Sequence, residues 1–147
     1  MGEVTIFKIL VEKIPPINYE SEQMLREIQN YLQISEVTDV RILNGYVVSG
    51  VSEDIFEKSK YLIFAEYGQD VIYDDIPVDA QGVMYTTEYL PGQYDQRTDF
   101  TAHLLQMLSL GERPQVRAFR TFILGGKISP ENVKKMSTPR KPPGNAS

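Results

Sequence analysis

Val40-Arg41-Ile42-Leu43-Asn44-Gly45-Tyr46-Val47-Val48-Ser49-Gly50 returns as Val116-Arg117-Ala118-Phe119-Arg120-Thr121-Phe122-Ile123-Leu124-Gly125-Gly126, a shift of 76 positions (116 minus 40). The likeness is one of pattern. A valine-arginine pair opens both copies, and an aromatic, two aliphatics and a small-residue pair close both. The same shift carries Glu12, Ile14 and Pro15 onto Glu88, Leu90 and Pro91, and Met24, Ile28 and Leu32 onto Phe100, Leu104 and Leu108. It holds without a gap from Glu12 to Gly50. One inserted residue, Lys127, then brings Val51-Ser52 onto Ile128-Ser129. A unit used twice implies that each copy packs against the other.

Each unit reads as strand, helix, strand, helix. Thr5 to Val11 is rich in β-branched and aromatic residues. Pro15-Pro16 ends that strand, because proline has no ladder donor. Met24, Leu25, Ile28 and Leu32 recur along one helical face, while Glu22, Arg26 and Gln29 stay largely off it. Asp39 to Val48 is strand-like. Its Asn44-Gly45 has the chemistry of a tight hairpin turn, but the second copy has Arg120-Thr121 there. The pair therefore predicts one long strand, bent or bulged, and not a hairpin. Ser52, followed by Glu53 and Asp54, caps a helix running to about Phe64, and Val71 to Tyr73 closes the unit as a short strand.

The second unit begins with the strand Val83 to Tyr89. A helix from Gln96 to Leu108 follows, with Phe100, Leu104, Leu105 and Leu108 as its apolar stripe, and then the strand Gln115 to Leu124. Ser129-Pro130-Glu131 repeats the cap, with proline at the first helical position, and the helix ends at Met136. The fold class expected is α+β. Two tandem β-α-β-α units are related by a pseudo-twofold, with antiparallel sheets and helices on one face. Unit one spans 4–73, a proline-bearing acidic linker 74–81 should lie exposed at the surface, and unit two spans 82–136, the whole forming one domain over 1–136. The tail 137–147 has the composition of a disordered segment. The second unit lacks the closing pieces of the first, as a truncated or altered reading of a longer protein would. Its open sheet edge or helix surface leads to an expectation of self-association.

Composition narrows the functional classes. The 147 residues are enough for one core without a staple. The chain has no cysteine, which removes thiol nucleophiles and cysteine-based metal sites. A formal net charge of -5 argues against nucleic acid. No stretch has the length or apolarity of a membrane span, and the start has no leader pattern. A soluble, cytoplasmic protein is expected. His103 is the only histidine. It cannot form a triad or a metal site by itself and reads as a surface or half-buried helix residue. Asp74, Asp75 and Asp79 read as a solvated acidic linker. Arg117, Phe119 and Phe122 lack the glycine of an RNA-recognition octapeptide and read as sheet core or a subunit contact.

The densest polar cluster is Glu88-Tyr89-Leu90-Pro91-Gly92-Gln93-Tyr94-Asp95-Gln96-Arg97-Thr98-Asp99. Pro91-Gly92 has the residue order of a type II turn. Asp95 is placed to cap the next helix. Gln96, Arg97 and Asp99 then fall in its first turn, where amides and side chains can meet an anion; on residue chemistry alone, a well-capped helix with Arg97 paired to Asp99 or another acid is the plainer reading.

This string closely resembles the signature near the amino terminus of the large single-chain formylglycinamide ribonucleotide amidotransferases (phosphoribosylformylglycinamidine synthases). Val11-Glu12-Lys13 with Pro15, Val40-Arg41-Ile42-Leu43-Asn44 and Gly111-Glu112-Arg113-Pro114 are also similar to that family, and the likeness covers roughly residues 4 to 136. The chain departs from the pattern at Phe100 and His103, where the family carries serine and glutamine. The resemblance implies a domain similar to a dimer of the small PurS subunit, a docking and scaffold module of an ATP- and glutamine-dependent ligase of purine biosynthesis. It implies that ATP, magnesium and the glutaminase residues belong to other domains of that enzyme, so this chain carries no cofactor and no catalytic residue. Its partners would be the synthetase and glutaminase domains. Pro91, Gly92, Gln93, Tyr94, Asp95, Gln96, Arg97 and Asp99 would lie near the substrate or in the docking surface. The alternative expectation is a free-standing regulatory module that binds a small ligand between ferredoxin-like units.

Overall fold

The computed structural model describes residues 5–90, 93 and 95–137. Within them the chain runs β1 (Ile6–Lys13), α1 (Tyr19–Asn30), β2 (Asp39–Ser49), α2 (Glu53–Ser59), β3 (Asp70–Tyr73), β4 (Val83–Glu88), α3 (Gln96–Ser109), β5 (Gln115–Gly125) and α4 (Pro130–Ser137). The class is α+β, with four α-helices and one open five-stranded sheet in the order β3-β1-β2-β5-β4. Every neighbouring pair is antiparallel.

The two long strands lie side by side at the centre. β2 pairs with β5 over all eleven residues, from Asp39↔Gly125 to Ser49↔Gln115. The ladder passes through Asn44↔Arg120 and Gly45↔Phe119 with no residue skipped. Asn44-Gly45 is thus neither a hairpin nor a bulge. Gly45 is required for a different reason: a Cβ there would stand 2.2 Å from the Phe119 ring. The ring lies on the bare backbone of its cross-strand neighbour.

Strand alternation sends Ile9, Val11, Val40, Ile42, Val48, Val116 and Leu124 to one face, and all four helices cover it. Phe56 of α2 and Ala102 and Leu105 of α3 pack over Ile9, Val11, Val48 and Val116. Ile28 of α1 and Met136 of α4 pack with Val40, Ile42 and Leu124. The helices are interleaved, since α2 and α3 come from opposite halves of the chain. After α2 the chain underwinds into one π turn, Lys60–Phe64, which turns Phe64 inward against Tyr46 and Phe56. Ser52, Asp95 and Ser129 cap their helices as their chemistry predicts. The expected stripe on α3 is shifted: Thr101, Ala102 and Leu105 are buried, and Phe100 is exposed. Phe100, the fifth residue of the helix, lies on the side away from these buried residues.

The segment expected to be a solvent-exposed linker is a strap. β3 and β4 are opposite edges of the sheet, so residues 74–82 must cross β1, β2 and β5 between them. They cross on the helix-free face. Ile76 and Ala80 pack there on Leu10, Leu43 and Ile123, while the acids, Val78, Gln81 and Gly82 are exposed. The segment lies at the surface, as its composition predicts, and topology adds the contact of Ile76 and Ala80 with the sheet. The expected tail lies outside the described residues, apart from Ser137, which ends α4. No helix among the described residues is long and apolar enough to cross a membrane.

Candidate functional site at the start of α3

β4 leads into the polar cluster and α3 leads out of it. The Gln93 amide donates to the Leu90 carbonyl (3.0 Å) and the Leu90 amide donates to Gln93 Oε1 (2.7 Å). Pro91, Gly92 and Tyr94 lie outside the described residues. Asp95 then caps α3, accepting from the amides of Arg97 (3.0 Å) and Thr98 (3.4 Å) and from the Thr98 hydroxyl. Its carboxylate meets amides that have no helical partner, at the positive end of the helix dipole.

The first-turn side chains fan out from this cap. Arg97 does not pair with Asp99. It donates to the Tyr46 hydroxyl of β2 at 2.7 Å and lies over the Tyr46 ring. Asp99 pairs with Arg113, which follows the helix. Gln96 is exposed. Arg97 and Asp95 share with Glu88, Tyr89, Phe119 and Arg120 an open cleft of about 290 Å³. The sequence cluster thus brings Gln93, Asp95 and Arg97 to one wall, and directs Asp99 to a second shallow cleft with Arg113.

Arg120 extends the site to the first helix. It donates to Asn44 Oδ1 (3.1 Å) and to Glu20 in the first turn of α1 (2.5 Å). Glu20 and Asn44 belong to a further cleft with Lys13 and Ile17. The starts of α1 and α3 therefore approach the same central rungs of the sheet. Tyr46, Arg113, Arg120, Glu20 and Asn44 were not evident as site residues from the sequence. Arg113 stood in a quoted family-like string, and Asn44 and Arg120 occupy matched positions, but neither signal specifies a contact. His103 is exposed on α3. The described residues contain no cluster of three or more histidines and acids arranged to hold a metal ion.

The groups gathered here are ionic and hydrogen-bonding side chains held in mutual pairs, alternating cation and anion across open clefts. Such a surface can recognise a complementary polar surface. Compared with known family models, curated proteins and solved structures, the chain matches none significantly.

Proposed function

We propose that this chain is a docking and scaffold domain of the kind found at the amino terminus of single-chain formylglycinamide ribonucleotide amidotransferase, built from two copies of one β-α-β-α unit. The observation that carries the reading is the pairing register. Under the shift of 76 read from the sequence, the pair Ile9↔Tyr46 of β1 and β2 becomes Tyr85↔Phe122, which is a pair of β4 and β5. In the central ladder Asn44 faces Arg120, its own counterpart under that shift. A residue opposite its own counterpart is what a twofold axis through that point requires. The ion pair Glu12–Arg41 likewise has a counterpart in Glu88–Arg117. Together with the Glu88–Asp99 string, these correspondences support a PurS-like pseudo-dimer.

In this reading the chain performs no chemistry. ATP, magnesium and glutamine are handled by the synthetase and glutaminase domains, and the α3 start meets the synthetase surface beside the ribonucleotide. The test is complementation. A single-chain amidotransferase lacking its own amino-terminal domain is mixed with this chain, and amidine formation from formylglycinamide ribonucleotide, ATP and glutamine is followed. The expected result is a stable complex with restored turnover, and Arg97→Ala should weaken the complex by roughly tenfold. Absence of a complex, or ammonia release from glutamine by the isolated chain, would overturn the proposal.

A further inference from the structure

The two counterpart ion pairs sit in unlike surroundings. Glu12 and Arg41 form a bidentate pair at 2.8 Å, with side chains 12% and 20% exposed. They are closed over by β3 and the strap. Tyr73 of β3 donates to Glu12 at 2.9 Å, and Asp79 of the strap stands 3.6 Å from Arg41. Glu88 and Arg117 are 3.4 Å apart and remain 47% and 71% exposed. Among the described residues no strand pairs with the outer edge of β4, whereas β3 pairs with the outer edge of β1 at Leu10–Lys13. The shift places the matching rungs of β4 at Thr86–Tyr89. The helix-free face shows the same inequality. The strap covers Leu10, Leu43 and Ile123, while their counterparts across the central ladder, Thr86, Phe119 and Val47, are exposed or half-buried.

We infer that the outer edge of β4 and the adjoining Glu88–Arg117–Phe119 surface are a docking site for an extended, acidic polypeptide strand supplied by a partner. This rests on the two-copy reading above. The first half of the molecule defines the occupant's chemistry. It runs antiparallel to β4 and sets a tyrosine opposite Thr86, so that its hydroxyl donates to Glu88. An apolar turn then crosses onto Phe119 and brings a carboxylate to Arg117. An edge strand with unused amides and carbonyls accepts such an addition. Arg117, the more exposed partner of its pair, gives the site its preference for an acid. A nucleic acid would meet Glu88 and an edge of peptide groups. A second copy pairing through β4 would leave Arg117 without the incoming carboxylate.

The probe is a synthetic peptide with the sequence of residues 69–80, Gln-Asp-Val-Ile-Tyr-Asp-Asp-Ile-Pro-Val-Asp-Ala, added to the full chain. Amide hydrogen exchange read by mass spectrometry should show saturable protection across Val83–Glu88. Arg117→Glu should weaken binding roughly tenfold, and a peptide with lysine in place of its last aspartate should recover most of that loss. Arg117 is exposed, so the variant should keep the parent melting temperature. Four results would each overturn the assignment: no protection at millimolar peptide, protection at Leu10–Lys13 instead, equal binding by a scrambled peptide, or a dimer that protects β4 with no peptide present. A chain that takes the peptide but fails complementation would remove the synthetase role and leave the edge site standing.

Discussion

Gly45 and Leu110 show how a single side chain, or its absence, can be demanded by long-range geometry. The Phe119 ring occupies the space a Gly45 Cβ would need. Gly45→Ala should therefore push the ring off the sheet and destabilise the chain by about 1–3 kcal/mol in urea unfolding. Phe119→Leu in the same chain should recover part of that loss. Leu110 ends α3 with φ 58 and is 91% exposed. A left-handed leucine costs roughly 1–2 kcal/mol relative to a relaxed backbone, and it gains little here from burial. Leu110→Gly should raise the melting temperature. No change would mean that the leucine makes a compensating contact. Neither effect was legible in the sequence. Asn44-Gly45 carries turn chemistry, and only a ladder paired on both sides reveals that the glycine serves a ring on the next strand.

At the scale of elements, capping was legible and pairing was not. Ser52, Asp95 and Ser129 act within four residues of themselves, and each caps the helix that its position foretold. Asp95→Ala should cost about 1 kcal/mol, and Asp95→Asn less, because the amide oxygen still accepts. α4 depends on a partner far away in sequence. Glu36, before β2, accepts from the Ser129 amide (3.0 Å) and from Asn132 Nδ2 (2.6 Å). These bonds, the Ser129 amide first, hold its carboxyl below its ordinary value. A depressed carboxyl stabilises the fold above its unfolded value and loses that contribution as pH falls through the folded one. The acid loss of stability should thus be shallower in Glu36→Gln than in the parent chain, measured by thermal unfolding between neutral and acid pH. Arg97 was expected to pair with a nearby acid, but Tyr46 lies closer once α3 is laid across β2.

For the whole molecule, the sheet order sets the path of the strap. Leu43 is fully buried beneath it, and Leu43→Ala should destabilise by about 2–5 kcal/mol. Tyr73 locks the strap's first end. Burial, then its hydrogen bond to Glu12, raises its hydroxyl above the ordinary tyrosine value. A raised acid stabilises below its unfolded value and loses that contribution as pH rises through the folded one. The parent chain should therefore weaken in alkali more than Tyr73→Phe does, read as the difference in melting temperature at alkaline pH.

Local chemistry by itself determined the α+β class, the order of strands and helices, the starts of α2, α3 and α4 and the candidate polar string Glu88–Asp99. These follow from hydrophobic period, propensity and capping, which act over a few residues. Tertiary structure alone decided that the long strands lie side by side, that the acidic segment 74–82 shields a sheet face, and that Arg97 and Arg120 join α3 and α1 to the central rungs. Those outcomes depend on which edges meet, and strand pairing joins residues too far apart in sequence for any local pattern to encode.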